Sequence, residues 1–186
     1  MLRKEDLRIT RTYTLLSNAL IKLMNTTPFK QITVTDICHE AMVSRTNFYD
    51  HFEDKYHLLT FGIHSMLAEA TATDMSREDL EDIWLRLLRH VAEMKDFYRR
   101  VLLDDDDKTL SRIFHEGVAQ DLAEHLERAK GDEIPHTTRI VISEFVAGSL
   151  VSTLRWWLKT DSLPPEELAK MIPHLLSGCE EYFRKS

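Results

Sequence analysis

The stretch from Thr33 to Lys55 constrains this chain more than any other. It reads as two short helices with a tight break between them. Thr33 suits an N-cap, and Asp36 three residues on completes a capping box in which Asp replaces Glu. Val34, Ile37, Cys38 and Ala41 fall at helical spacing on one face, and small Ala41 lets a second helix approach closely. Met42-Val43 is the break, and Ser44 is the next N-cap. Phe48 and Phe52 stand one turn apart and are expected to pack inward. The opposite face carries Arg45, Thr46, Asn47, Tyr49 and His51. None of these is needed to fill a core, and all can bond phosphate oxygens or base edges. Such a pair of helices, with a polar face on the second, is the pattern of a helix-turn-helix.

The full run is more specific than a bare helix-turn-helix. Ile-Thr-Val-x-Asp-Ile-Cys-x-x-Ala-x-Val-Ser-Arg-x-x-Phe-Tyr-x-His-Phe-x-x-Lys-x-x-Leu-Leu resembles the N-terminal domain of TetR-family transcriptional regulators. Tyr49, His51, Phe52, Lys55 and the Leu58-Leu59 pair carry most of that resemblance. Two positions depart from it. Met42 stands where the family usually has a turn glycine, and a left-handed methionine costs roughly 1 kcal/mol or more. Asp50 stands where a neutral or aromatic residue is common, and an acid there opposes phosphate unless it points away or meets a base amino group.

Charge is distributed so as not to oppose this reading. The chain carries a net charge of −7, yet residues 1–60 hold 8 Lys+Arg against 7 Asp+Glu. The acidic excess therefore lies in the remainder, and its repulsion is screened beyond about 8 Å at physiological salt. Hydrophobic residues make up 43% of the chain, ample for a core. There is no apolar run long enough for a membrane span, and Met-Leu-Arg-Lys-Glu-Asp lacks the apolar region of a signal peptide, so a cytoplasmic protein is expected. Cys38 and Cys179 read as buried free thiols.

Taken in order, Arg3, Lys4, Arg8 and Arg11 form either a solvated terminus or a basic arm that touches phosphates. A helix is expected from about Ile9 to Asn25, with Tyr13, Leu16, Leu20 and Leu23 on its inner face and Pro28 beyond its end. Phe29 and Ile32 plug the base of a three-helix unit. Asp54 caps a helix from about Lys55 to Thr71, and the rest of the chain is helical in pattern. Ser76 caps a helix to Glu93, a short helix covers Lys95 to Leu103, and the acids Asp104 to Asp107 form a solvated loop before a helix ending near Gly131. A long helix around Ile140 to Leu158 is apolar nearly all round, and Pro164-Pro165 opens the last. The expected fold is all-α, of about nine helices. Residues 1–54 form the helix-turn-helix domain, and residues 55–186 a helical regulatory and dimerisation domain.

Terminal helices this apolar imply a two-fold, four-helix interface between two copies, with Phe145, Gly148, Val151, Ser152, Leu168, Met171, Leu175, Cys179 and Tyr182 as candidates. The segment from Phe145 to Leu158, then Pro-Glu-Glu-Leu-Ala, also resembles the dimerising end of TetR-family proteins, most closely the C-terminal type common in Firmicutes. The resemblance implies a homodimer that binds a palindromic double-stranded DNA operator, acts as a repressor, and is released when a small-molecule effector tilts the Lys55–Thr71 helix. Half-sites would lie roughly 34 Å apart. Arg45 is the expected base reader, by paired bonds to guanine. Asn47 suits adenine or a phosphate, and Thr46 offers a methyl to thymine. Tyr49, His51, Lys55, Thr33, Thr35 and Ser44 are expected to hold the DNA backbone, although Ser44 also serves as a cap and His51 has the alternative of a packed structural ring. Met66, Trp84, Met94, Phe97, Tyr98, Phe114 and His115 are candidate effector-pocket residues that equally well fill a core. No ordered Ser/His/Asp set, glycine-rich phosphate loop or paired-carboxylate motif is present, so neither an enzyme nor a cofactor or metal is expected. The competing reading is an adaptor of the same fold that acts through protein or ligand contacts without reading DNA.

Overall fold

The computed structural model describes residues 4–70, 80–104, 108–130 and 133–184, and the side chains of 4–8, 67–70, 80, 129–130 and 177–184 fall outside that description. Expectations for Arg3, the side chains of Lys4 and Arg8, Ser76, Asp105 to Asp107 and Gly131 therefore lie outside it. The described residues are all-helical. They form α1 (Lys4–Met24), α2 (Val34–Ala41), α3 (Arg45–Tyr49), α4 (Lys55–Ala70), α5 (Leu80–Glu93), α6 (Lys95–Leu102), α7 (Thr109–Lys130), α8 (His136–Thr160) and α9 (Pro165–Arg184), with a 3-10 turn at Phe29–Gln31. The chain divides into two compact units, Met1–Ser65 and Met66–Ser186.

In the first unit, α1 contributes Leu16, Leu20 and Met24 to the core, and Phe29 and Ile32 close its base. α2 packs on α1 and on α3. Its start is the expected capping box: the Thr33 hydroxyl accepts from the Asp36 amide at 3.2 Å, and the Asp36 carboxylate accepts from the Thr33 amide at 2.9 Å. Its end is left-handed. Met42 adopts φ 53° and ψ 40°, and its amide reaches back to the carbonyls of Cys38 and His39. The methionine side chain is 93% exposed, so it has no packing that offsets the strain. Ser44 then caps α3, its side chain accepting from the Asn47 amide at 3.2 Å. α4 begins at Asp54, whose carboxylate accepts from the amides of Tyr56 and His57.

The second unit pairs α5 with α9 and α7 with α8, and α6 packs on α5, α7 and α8. Its centre is aromatic: Phe97, Tyr98 and Phe114 are each at most 2% exposed, with edge-on ring contacts at 5.4 Å and 5.8 Å. Burial holds the Tyr98 hydroxyl far above its ordinary pKa. At the end of α8, Asp161 is left-handed and bridges to Lys95 at 2.7 Å, while the Trp157 indole donates to the Leu163 carbonyl at 2.7 Å. These contacts fix the turn into α9.

Two measurements check the local chemistry. Met42→Gly relieves a left-handed side chain and is expected to raise stability by about 1 kcal/mol, read as a higher thermal midpoint. The hydrogen bonds from Thr33 hold the Asp36 carboxyl below its ordinary pKa, by side-chain and backbone donation in that order. The cap's contribution is then complete above the unfolded carboxylate's pKa of about 3.9 and is lost as pH falls through the lower folded value. Urea midpoints of Asp36→Asn should lie below wild type near neutrality and converge with it in acid; a constant gap contradicts the assignment.

Candidate nucleic-acid interface

α3 is only five residues long, RTNFY, too short to persist by its own hydrogen bonds. Its shape comes from its cap and from what lies beneath it. Phe48 is fully buried and Phe52 is 3% exposed. Phe48 meets Phe52 at 5.8 Å, Phe52 meets Phe61 of α4 at 5.7 Å, and Tyr13 of α1 touches both Phe52 (5.0 Å) and Phe61 (4.8 Å). This aromatic cluster ties α3 to α1 and α4.

The other face of α3 is exposed. Arg45, Thr46 and Tyr49 point to solvent, and Asn47 is half-buried. The Arg45 guanidinium lies 6.0 Å from the centre of the Tyr49 ring, near enough for a cation–π contact that limits its wandering. Asp50 is exposed at the C-cap of α3. Thr35, on the first turn of α2, is exposed as well.

Three of the expected backbone contacts are already engaged elsewhere. The Thr33 hydroxyl proton is donated to the Asp36 carboxylate at 2.6 Å, which removes it as a phosphate donor. His51 is half-buried, and its ring meets Tyr13 edge-on at 5.1 Å, so it is part of the aromatic packing. The Lys55 ammonium donates to the backbone carbonyls of Phe29 (2.8 Å), Lys30 (3.2 Å) and Ile32 (2.8 Å). An ammonium has three donors, so its capacity is filled within the unit. Ser44 keeps its hydroxyl proton, because the cap uses only an oxygen lone pair.

Among the described residues, those expected around an effector differ in burial. Phe97, Tyr98 and Phe114 fill space against one another, and Met66 is buried. Trp84 and Met94 are half-buried, and His115 lies 3.6 Å from the Glu144 carboxylate. A cleft of about 360 Å³ lies elsewhere in the second unit, lined by Ala92, Lys95, Trp157, Asp161, Leu163 and Pro164 among others. Its charged groups pair with each other, as described above. Sequence periodicity pointed to the large aromatics and missed this cleft, which is made by the α8–α9 turn.

The expected dimer set also divides. Phe145 (55%), Met171 (48%) and Leu175 (74%) are exposed, as is Ser152. Val151 and Leu168 are buried within their own chain, on the sides of α8 and α9 that face α6, α7 and α5. A Cβ at Gly148 would approach the His115 imidazole at 3.8 Å, so this position faces α7. The side chains of Cys179 and Tyr182 lie outside the described residues. The exposed apolar stripe has members that were not expected: Val141 (61%) and Trp156 (47%) stand with Phe145 and Ser152 along one side of α8. Their spacing puts them on one side of α8, but a helix apolar nearly all round gives no signal of which side stays open.

Among the described residues no cluster of His, Cys, Asp or Glu is arranged to hold a metal, and no helix is long and apolar enough to cross a membrane.

The chain was compared with known proteins. The profile of a TetR-type C-terminal domain, described as transcriptional regulator C-terminal region, matches residues 78–178. The HTH-type dhaKLM operon transcriptional activator DhaS of Lactococcus lactis subsp. lactis (strain IL1403) is 28% identical over 94 residues, covering 50% of this chain and 50% of that protein. The match thus spans about half the length of that curated relative. Among solved structures, a TetR transcriptional regulator from Streptococcus agalactiae 2603V is 27% identical, with a TM-score of 0.60 over 90% of this chain and 94% of that one. The structure of a dihydroxyacetone kinase operon activator, DhaS, gives a TM-score of 0.63 over 92% of this chain and 97% of its own, at 22% identity, a likeness of fold.

Proposed function

The chain belongs to the TetR family of transcriptional regulators, and we propose that within it this protein is a homodimer that reads double-stranded DNA through α3. A transcriptional regulator, not an enzyme, is what the family establishes. The observation that carries the DNA reading is the two-sidedness of α3: Phe48 is fully buried beneath it while Arg45, Thr46 and Tyr49 stand outward. Arg45 can form paired hydrogen bonds to guanine, Asn47 suits adenine or a phosphate, and Thr46 can meet the thymine methyl. Tyr49, Ser44 and Thr35 retain hydroxyl groups able to contact phosphates and set register. The site of action follows as the cytoplasm, where the operator is.

Two copies are needed to place two such helices on successive grooves. The stripe of Val141, Phe145 and Trp156 on α8, with Met171 and Leu175 on α9, supports pairing through these two helices. Large apolar side chains left open in a row mark an interaction surface. Repression by occupying a palindromic operator is the direction we adopt. Activation is the second reading, favoured by the name of the matching relative, an operon activator. Deleting the gene and measuring transcripts beside bound sites separates them: levels rise for a repressor and fall for an activator. Of the aromatic residues expected to bind an effector, Phe97, Tyr98 and Phe114 form packed core, so no effector is assigned to them.

Selection of duplexes from a random pool should enrich a near-palindrome, and a pool returned without any motif would leave only an adaptor. On the selected site, Arg45→Ala is expected to weaken binding by about 1–3 kcal/mol and relax one base position. Equal binding by both proteins across the pool rejects base reading by Arg45. Sedimentation at micromolar concentration should give a wild-type dimer and a monomer for the Phe145→Glu/Leu175→Glu double variant; a wild-type monomer removes the pairing.

A further inference from the structure

Family resemblance makes Lys55 a contact to the DNA backbone. We propose instead that Lys55 is a positioning residue, whose ammonium fastens the Phe29–Ile32 segment to the start of α4 and so sets the frame on which α3 is presented. Its three donors meet three carbonyls of one short segment, those of Phe29, Lys30 and Ile32, at 2.8, 3.2 and 2.8 Å. That segment is the 3-10 turn Phe29–Gln31 and the residue after it, and it leads directly into the N-cap Thr33 of α2. α2 in turn packs on α3. The clamp therefore joins the two ends of the unit that flank the helix-turn-helix.

The surroundings suit a held cation. The ammonium lies 4.7 Å from the centre of the Phe29 ring and 5.8 Å from that of Tyr56, and those two rings meet edge-on at 5.0 Å. Hydrogen bonds to a charged donor are stronger than neutral ones, and in a partly dry site the advantage grows. Burial lowers the pKa of Lys55, and neighbouring Asp54 works against that shift. For the ammonium to reach a phosphate, it must give up its bonds to these three carbonyls, of which that of Phe29 also accepts from the Ile32 amide at 3.2 Å. Giving up charge-assisted bonds to the part-buried carbonyls of Phe29 and Ile32 costs more than giving up bonds fully open to water. Phe29 and Ile32 are buried and their bonds to the ammonium are part-buried, whereas Lys30 is exposed.

The clamp stands on geometry alone; its effect on DNA affinity rests on the DNA-reading proposal above. The experiment keeps the two apart. In wild-type protein labelled with 15N-lysine, the free protein should give a slowly exchanging ammonium signal with cross peaks to the Phe29 ring protons; a Lys55 ammonium that exchanges as fast as that of Lys159 overturns the clamp. In Lys55→Met, exchange of the Gln31 and Ile32 amides, which bond to Pro28 and Phe29, should accelerate by about tenfold through local opening. Unchanged exchange overturns it as well. On a DNA site selected with the wild type, Lys55→Met should bind about tenfold more weakly with an unaltered slope of log K against log salt, because no phosphate contact is lost. A slope shallower by about 0.9 marks a lost phosphate contact and overturns the positioning role. Lys55→Arg keeps the charge but not a compact three-donor head. It should fail to restore affinity; full restoration argues for phosphate. If the wild type selects no DNA, the DNA-reading proposal fails while the ammonium signal and amide exchange still decide the clamp.

Discussion

The aromatic cluster under α3 is the interaction on which the rest of the first unit depends. A five-residue helix makes too few internal hydrogen bonds to offset the entropy of ordering its backbone. Ser44 satisfies one amide at its start, and Phe48 supplies the burial that holds it. Phe48 alone does not set direction. Direction comes from Tyr13, Phe52 and Phe61, whose rings meet at 5.7 Å or less and belong to α1, the turn after α3, and α4. Edge-on aromatic contacts have preferred angles as well as attraction, so they restrict rotation more than aliphatic packing does. The outward placement of Arg45 and Tyr49 is thus a consequence of what lies on the other side of the helix.

Caps and strain frame the same device. The turn between α2 and α3 is closed by a left-handed residue, and the chain uses Met42 there although glycine would adopt that conformation without steric penalty. Stability for the turn comes from its neighbours: the Thr33–Asp36 box at one end of α2, the Ser44 cap at the start of α3, and buried Ile37, Cys38 and Ala41 between them. Burial also raises the pKa of the Cys38 thiol, keeping it protonated and unreactive at neutral pH.

How much could be read from the sequence differs by kind of residue. Helix starts were legible because a cap is a local chemical requirement: Thr33 with Asp36, Ser44, and Asp54 each do what their spacing predicts. The inward aromatics of the first unit were legible because one turn separates Phe48 from Phe52. Lys55 was misread. A lysine at a helix start looks like a phosphate ligand until the carbonyls of residues distant in sequence are placed around it. Phe97, Tyr98 and Phe114 were read as both pocket and core, and only packing separates those two; here they are core. On α8 the apolar character runs nearly all round, so periodicity could not say which side faces its own chain. Val151 fell on the inner side and Val141 on the outer. Pro173 inside α9, which leaves the Ala169 carbonyl without its helical donor, could be seen in the sequence but tells nothing of direction.

If α3 reads DNA as proposed, the surface it offers is narrower than the polar residues of Thr33–Lys55 suggest. Side chains at the helix starts serve two masters: an oxygen that caps an amide is held at a fixed place, and its proton is available only if nothing nearby accepts it. Ser44 keeps that proton and Thr33 does not, because Asp36 is beside one and no carboxylate is bonded to the other. Lys55 is engaged too, its ammonium donating to the carbonyls of Phe29, Lys30 and Ile32. What remains outward is Arg45, Thr46 and Tyr49, with Asn47 at the edge and Thr35 on the neighbouring helix. Arg45 is the one cationic side chain of α3, and Asp50 stands at the end of that helix. A surface with one cation and one acid on its central helix gains little from charge alone. Under the proposed DNA reading, discrimination rests on the hydrogen-bond geometry of Arg45 and Asn47, and that geometry is only as constant as the packed frame beneath.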